Sequence, residues 1–335
     1  MPHTLNGRRR GRIGTLVLAA ALSFGLAACG ESGGSDSSSS SSSSEAGAES
    51  SAGFPRTVQH HKGKTEIKTK PKRVVALDNS LVEAVVALDR PLIAGIGSYR
   101  DQKGFPDYLG DAVKDTKDVG PLDSPNLEQI AALRPDLIVS ASVRHEELYD
   151  QLSEIAPTVF VETTGPTWKD NLTLVGEALG EEAKAKEVLS TYETRAKKIG
   201  DAINAKAGKP EVSIVRFVDG PTRIYLPKTF SGIVLQDMGL ARPENQRDPE
   251  KFNIEISEEQ IGQADGDVIF YTTFSGGEER EEKFLGNPLW KRLGAVRSGD
   301  VHKVDDEIWM TSVSAQGAHR MLDDMARVFG VDAAK

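Results

Sequence analysis

The sequence is poor in cysteine and histidine, and each of these two scarcities excludes a class of protein. One cysteine in 335 residues excludes a disulfide-stapled scaffold, because a bridge within the chain needs two. Beyond the first 61 residues the histidines are His145, His302 and His319, which show no metal-ligand spacing. A site in which protein side chains bind zinc or manganese directly is therefore not predicted.

Basic charge and catalytic signatures are also lacking. The formal net charge is −9, and without residues 1–28, which hold four arginines and no acid, it becomes −13. An acidic body argues against nucleic acid as a partner, since that role normally requires a basic face. From residue 57 onwards the sequence contains no Gly-x-Ser-x-Gly and no phosphate-binding glycine loop, so we do not expect an enzyme.

The chain begins with the features of an export signal. Four arginines precede the apolar run from Ile13 to Ala28, which is shorter than the roughly 20 residues needed to cross a bilayer. The stretch Leu26-Ala27-Ala28-Cys29 resembles the bacterial lipoprotein box, which implies lipidation of Cys29. Serine- and glycine-rich sequence follows and is typical of a flexible tether. We expect a protein anchored by lipid on the extracytoplasmic face of the cell membrane.

An internal repeat predicts two similar lobes. Residues 126–141 and 257–272 each begin with a helix N-cap residue, Asn126 or Ser257, followed three positions later by glutamine. Each copy then reads Glu-Gln-Ile, five further residues, and an aspartate that leads into an apolar strand. A helix that leads by a tight turn into a buried strand is half of a βαβ unit, so its recurrence indicates two α/β lobes.

Strands and helices alternate in both halves, and a long helical segment lies between them. Apolar residues recur at helical spacing over residues 168–206, with a break expected at Gly180. We predict an α/β fold of two Rossmann-like lobes with mostly parallel central sheets, one long linking helix and a ligand cleft between the lobes. The predicted divisions are a signal peptide 1–28, lipidated Cys29 and tether 29–56, N-terminal lobe 57–166, linking segment 167–206 and C-terminal lobe 207–335.

The order of several motifs resembles one protein family. They are Arg73-Val-Val-Ala-Leu77, Asn79-Ser-Leu-Val-Glu83, Leu133-Arg-Pro-Asp-Leu-Ile138, Ile155-Ala-Pro-Thr-Val159, Phe230-Ser-Gly232, Leu240-Ala-Arg-Pro243 and Ala295-Val-Arg-Ser-Gly-Asp-Val-His-Lys-Val-Asp305. From about residue 70 to 330 the chain is similar to the iron-siderophore substrate-binding lipoproteins of ABC importers. Within that family it resembles an actinobacterial member of the ferrioxamine-binding type.

The resemblance implies a function. A monomer would bind a ferric siderophore in a largely pre-formed cleft and deliver it to an ABC permease, with no cofactor and no metal bound directly. A hydroxamate siderophore is favoured over a catecholate, because the body is acidic and the cleft loops lack a lysine cluster. A haem or cobalamin binder of the same fold stays open, and a direct metal binder is the weaker alternative.

Candidate ligand-binding residues lie where strands are expected to end, because ligands bind at the carboxyl ends of parallel strands. Arg216 interrupts an apolar strand, and its planar fork suits paired oxygen atoms. The family places an aromatic residue at Trp309 against the siderophore. The remaining candidates are Arg144, Tyr225, Arg223, Phe230, Tyr99, Arg100, Tyr271 and Phe274.

The resemblance also implies one acidic docking residue on the outer surface of each lobe. The matching positions are Glu83 in the first lobe and Glu258 or Glu259 in the second. An acid in the first turn of a helix is also stabilised by the helix dipole without any partner. Glu128, the repeat counterpart of Glu259, is expected to matter less if docking rather than capping explains these acids.

Overall fold

Two five-stranded sheets and the helices around them form two lobes. A computed structural model describes residues 53–97, 99 and 103–335, which fall within one compact unit that begins at Glu49. Cys29 and the predicted signal segment lie outside these residues. Within the described ranges no helix combines the length and the apolar character that a membrane crossing requires.

The first lobe contains a hairpin and a fully parallel sheet in the order β5-β4-β3-β6-β7. Its elements are β1 Arg56–His60, β2 Gly63–Ile67, β3 Val74–Ala76, α1 Asn79–Ala87, β4 Leu92–Gly95, β5 Lys117–Asp118, α2 Leu127–Leu133, β6 Leu137–Ala141, α3 Ser142–His145, α4 Tyr149–Ile155 and β7 Thr158–Val161, with 3-10 turns at Asp107–Val113 and Glu146–Leu148.

Two consecutive helices follow, α5 Trp168–Leu179 and α6 Glu182–Ala207. Gly180 ends α5 in the left-handed conformation, at φ 68°, so the predicted break is confirmed. The 26 residues of α6 link the lobes. Gly200 of α6 packs against the backbone of Met238. A Cβ at residue 200 would lie 1.7 Å from the Met238 carbonyl oxygen, so only glycine permits this packing.

The second lobe has a mixed sheet in the order β10-β9-β8-β11-β12, in which β8, β11 and β12 are parallel and β9 and β10 run antiparallel to their neighbours. Its elements are β8 Val212–Phe217, β9 Thr222–Tyr225, α7 Phe230–Asp237, β10 Asn253–Ile256, β11 Val268–Thr273, α8 Glu278–Gly286, α9 Gly294–Ser298, β12 Val301–Lys303 and α10 Ala315–Phe329, with 3-10 turns at Glu244–Gln246, Glu258–Ala264 and Trp290–Arg292 and a π-turn at Glu307–Thr311.

Each central strand buries residues on both faces of its sheet. In β8, Val212 and Ile214 pack on the side of α6, α7 and α10, whereas Val215 and Phe217 pack on the side of α8. The alternation follows from the two-residue period of a strand, and burial on both faces is typical of parallel sheets. The predicted α/β fold with a linking helix is confirmed.

The repeat is present in both lobes but in different helical forms. In the first lobe Asn126 caps α2 by accepting from the backbone of Gln129. In the second lobe Ser257 and Gln260 form the full reciprocal capping box, but the segment Glu258–Ala264 is a 3-10 turn. The hairpin β1–β2, over residues 56–67, was not predicted from the sequence.

An interlobe cleft at the strand ends

A cavity lies between the two lobes, where the parallel strands of both sheets end. Its volume is about 70 Å³. A larger concavity of about 570 Å³ lies between α6 and α10, away from these strand ends. Because ligands in open α/β sheets bind at the carboxyl ends of strands, we treat the interlobe cavity as the candidate site. Its lining residues are Asp78, Asn79, Ser80, Tyr99, Leu122, Arg144, Thr164, Arg216, Met310, Thr311 and Val313.

The N-lobe wall is built around the start of α1. Asp78 follows β3 and caps α1 by accepting from the backbone and hydroxyl of Ser80. Its second oxygen accepts from Nε of Arg144 at 3.1 Å. The Asn79 side-chain oxygen is buried without a hydrogen-bond partner among the described residues. This wall therefore presents a guanidinium and an unused acceptor to the cavity.

The C-lobe wall is built around Arg216, next to the end of β8. Its Nε and Nη2 donate to the two carboxylate oxygens of Asp306 at 2.7 and 2.5 Å, and its Nη1 donates to the Tyr225 hydroxyl at 3.0 Å. The Thr272 hydroxyl also donates to Asp306. A two-point ion pair of this kind fixes the plane of the guanidinium. Arg216 is thus both a cleft residue and a member of a structural ion pair.

Aromatic rings close the cavity from both sides. The ring centroids of Tyr99 in the first lobe and Phe274 in the second are 6.3 Å apart. The guanidinium carbon of Arg216 lies 4.7 Å from the Phe274 centroid, which is within cation–π range. Sequence reasoning selected Arg144, Arg216, Tyr225, Tyr99 and Phe274 separately, and the structure brings these five together.

The outer mouth of the cleft is acidic. Asp305, Asp306 and Glu307 line a concavity of about 450 Å³ next to Phe274. Burial raises the pKa of Glu307, the nearby charges of Asp305 and Asp107 raise it further, and the charge of Arg320 lowers it. Asp107 of the first lobe and Glu307 of the second therefore lie near each other.

Trp309 lies away from the cavity. It is fully buried, stacks on Phe270 with centroids 4.7 Å apart, and donates from Nε1 to Asp324 at 3.0 Å. Phe230 is also buried, edge-on to Trp168. Both placements differ from the expectation of ligand contact, because each ring fills space between the sheet and its covering helices.

Two further candidates lie beside the cleft rather than in it. Tyr271 packs edge-on against Phe217, and Arg223 forms an ion pair at 3.3 Å with Glu255 on the neighbouring strand. Strand β9 lies between β8 and β10 and places Arg223 opposite Arg216, but the Arg223 guanidinium pairs with Glu255 of β10. The prediction for Arg100 lies outside the described residues.

The acids predicted to dock a permease differ in exposure. Glu83 is 1% exposed and its carboxyl group bonds to Tyr108, Ser312 and Ser314, so it cannot act as an outer-surface acid in this arrangement. Residue 83 lies on the face of α1 that packs against α10, which the capping pattern alone did not reveal. Glu259 is exposed and Glu258 is half-buried beside Arg280.

Several cleft residues escaped sequence reasoning. Asp78, Asn79 and Thr164 follow the strands β3 and β7, so the strand-end rule applied to Tyr99 and Arg144 would have found them. Asp306 follows β12 by three residues, so the same rule would have found it, but its pairing with Arg216 depends on contact between distant segments. The described ranges contain no cluster of three or more histidine, cysteine or acidic residues arranged to bind a metal.

Comparisons with known proteins agree with this architecture. A family model described as periplasmic binding protein matches residues 74–308. The chain is 40% identical to the probable siderophore-binding lipoprotein YfiY of Bacillus subtilis, over 84% of this chain and 90% of the relative, and 32% identical to the achromobactin-binding periplasmic protein of Dickeya dadantii, over 78% and 87%. The crystal structure of Staphylococcus aureus SirA with staphyloferrin B superposes with a TM-score of 0.77 and 33% identity, covering 83% of this chain and 99% of that one.

Proposed function

The chain belongs to the periplasmic binding protein family, and on that premise we propose that it binds a ferric siderophore in the interlobe cleft and delivers it to an ABC permease. The observation that carries the proposal is that Arg144 and Arg216, from different lobes, face one cavity. Two separated guanidinium groups suit a compact ligand that presents oxygen atoms on opposite sides. The relatives named for siderophores support the same conclusion. The role is one of transport, without catalysis.

We propose a hydroxamate siderophore, of little net charge, as the ligand class. Each cleft arginine is already balanced by an aspartate, Asp78 for Arg144 and Asp306 for Arg216. Asp305 and Glu307 add negative charge at the mouth. Lys303 lines the same concavity but is paired with Glu281, so an anionic catecholate complex would meet net negative charge on entry, whereas a neutral or cationic complex would not be repelled.

The cleft must widen for such a ligand. Its 70 Å³ is well below the roughly 300–1,000 Å³ of typical ligand pockets, which differs from the expectation of a pre-formed site. The rings of Tyr99 and Phe274 are the groups that meet across the cleft. Their separation is the movement that we expect on binding.

Titration calorimetry of the full chain tests the ligand class. Ferric hydroxamate, ferric catecholate, haem and cobalamin are titrated in parallel, together with the iron-free form of each siderophore. Saturable binding of the ferric hydroxamate, without binding of its iron-free form, is expected. Tighter binding of the ferric catecholate would overturn the ligand class, and binding of only haem or cobalamin would overturn the siderophore proposal.

Delivery requires a docking acid on each lobe. Glu259 on the second lobe keeps its proposed role, with Glu258 beside it. In the first lobe Glu128 is the exposed acid at the repeat-equivalent position and replaces the buried Glu83 as our candidate. The intended control of the sequence analysis thus becomes a candidate itself.

A lipid anchor on Cys29 completes the proposed function. Cys29→Ser is expected to release the protein from the membrane into the medium or periplasm, because lipid chains supply the affinity for the bilayer. Membrane fractionation followed by immunoblotting measures the release. Full membrane retention of the variant would contradict the anchor.

A further inference from the structure

One buried carboxyl group joins the two lobes. Glu83, on α1 of the first lobe, accepts from the hydroxyls of Ser312 at 3.0 Å and of Ser314, both in the second lobe. The Tyr108 hydroxyl of the first lobe donates to its other oxygen at 2.8 Å. The Gln316 side chain donates to the backbone oxygen of Glu83 at 2.9 Å. Glu83 is therefore the centre of a polar cluster that spans the lobe interface.

The same segments line the ligand cleft. Thr311 and Val313 face the cavity, whereas the alternate residues Ser312 and Ser314 bond to Glu83. On the opposite lobe Ser80 lines the cavity one helical turn before Glu83. Movement of either segment thus changes the cleft and the cluster together.

The second-lobe segment packs tightly enough to transmit such movement. A Cβ at Gly317 would lie 2.1 Å from the Ser312 backbone oxygen, so glycine is required where the segment folds onto α10. Ser314 also caps α10 by accepting from the backbone of Gly317 at 3.0 Å. Ser314 therefore connects the Glu83 carboxyl group to the first turn of a 15-residue helix.

The chemistry of the cluster favours a neutral carboxyl group. The three groups bonded to its oxygens are hydroxyls, which can donate to a carboxylate or accept from a carboxylic acid. Among charged neighbours, Glu307 acts on Glu83 most directly, and it is another acid. The guanidinium carbon of Arg320, on α10, lies 4.7 Å from the centroid of the Tyr108 ring, and Asp107 lies near Glu307. An ionised Glu83 is thus poorly compensated.

Burial has the expected electrostatic consequence. Desolvation raises the pKa of Glu83 to about 7, although the three hydroxyls act in the opposite direction. In contact with water, a glutamate has a pKa of about 4.3. The joined arrangement therefore binds a proton that the separated one releases, and raising the pH through 7 favours separation.

We propose that Glu83 is a protonation-sensitive latch between the lobes: the protonated carboxyl group holds them together over the cleft, and ionisation releases them. The stabilisation of the joined arrangement by the protonated carboxyl group is complete below about pH 4 and is lost as the pH rises through neutrality. It rests on the lobe contacts alone and not on the ligand proposed above. Failure of siderophore binding would leave it untouched.

Interlobe distances measured by pulsed electron spin resonance test the latch. The full chain carries Cys29→Ser and spin labels at Asp150→Cys and Lys291→Cys, which are exposed positions on the first and second lobes. Between pH 5 and pH 8 we expect the ratio of separated to joined molecules to rise about 10- to 100-fold. The measurement needs no ligand.

Variants identify the group responsible. Glu83→Gln, which resembles the protonated side chain, is expected to abolish the pH dependence and keep the lobes joined. Ser312→Ala removes the contacts of Ser312 with Glu83 and Tyr108 across the interface but keeps the Ser314 cap, so we expect more separation at each pH with the pH dependence retained. Glu154→Gln makes the same charge change at an exposed position of α4 and is expected to behave as the wild type.

Two results would overturn the latch. One is a pH-independent distance distribution in the wild type. The other is a pH response that persists in Glu83→Gln, which would assign it to other groups such as Glu307. If Glu83→Gln does not fold, the Ser312→Ala series decides, because an unchanged separated fraction in that variant would show that the cluster does not hold the lobes.

Discussion

The two walls of the cleft use the same pair of residue types in different ways. On the C-lobe wall Arg216 and Asp306 share two hydrogen bonds, and their side chains are 12% and 10% exposed. On the N-lobe wall Arg144 makes one 3.1 Å contact with Asp78 and is 30% exposed. The second lobe thus offers a fixed surface, and the first offers a group that can leave its partner for a ligand.

Replacing the core beneath the fixed wall should have the largest effect. Trp309→Ala is expected to lower the free energy of unfolding by about 3–5 kcal/mol, because a fully buried ring and its bond to Asp324 are lost. Chemical denaturation measures this change. The matched variant Tyr99→Ala, on the adaptable wall, should weaken siderophore binding with little loss of stability. The reverse pattern would show that Trp309, and not Tyr99, contacts ligand.

Breaking the fixed ion pair should affect both stability and binding. Arg216→Ala leaves Asp306 buried without its cation, so we expect the free energy of unfolding to fall by about 3 kcal/mol. Siderophore affinity should fall on the order of 100-fold, since a charge-assisted contact is lost. Denaturation and calorimetry measure the two quantities, with Arg216→Lys as the control that keeps the charge but not the fork. Unchanged affinity would remove Arg216 from the site.

Breaking the looser pair should affect mainly binding. Arg144→Ala is expected to weaken siderophore binding about tenfold and to change the free energy of unfolding by about 1 kcal/mol, because Arg144 makes a single contact and the buried Asp78 keeps its two hydrogen bonds from Ser80. The same two measurements apply. A stability loss as large as that of Arg216→Ala would erase the difference between the walls.

The exposed acids on the outer surfaces of the lobes should contribute neither to siderophore affinity nor to the free energy of unfolding. Glu128→Ala and Glu259→Ala are expected to leave affinity and stability unchanged and to reduce iron-siderophore uptake in cells, because both acids are exposed on equivalent helical segments. Glu154→Ala, an exposed acid on α4, is the control. Uptake equal to that of the control would exclude docking by these acids.

Local pattern was sufficient for much of the fold. The break at Gly180 and the strands that end the two repeat units follow from one glycine and short apolar runs, and they are observed as predicted. The hairpin β1–β2 was missed, although the alternation of Thr57 to Ile67 is a weak strand signal. Such signals depend on neighbours in sequence, which is why they can be found without the structure.

The site was less accessible to sequence reasoning because it forms between distant segments. Arg144 and Arg216 were found by the strand-end rule, whereas Trp309 was selected because the family resemblance implies an aromatic residue against the ligand there, and its ring packs inward. Glu83 carries the capping pattern of a surface helix, yet its face is covered by the start of α10. Which side of a helix is covered depends on how the lobes pack, and that information is not local.

The positions of the tryptophans determine what an optical assay can detect. All three, Trp168, Trp290 and Trp309, are at most 5% exposed and lie within hydrophobic clusters. Their emission should be blue-shifted and resistant to quenching by iodide in solution. A coloured ferric complex in the cleft can dim them only by energy transfer over a distance, so a fluorescence titration would report iron without contact between ligand and indole.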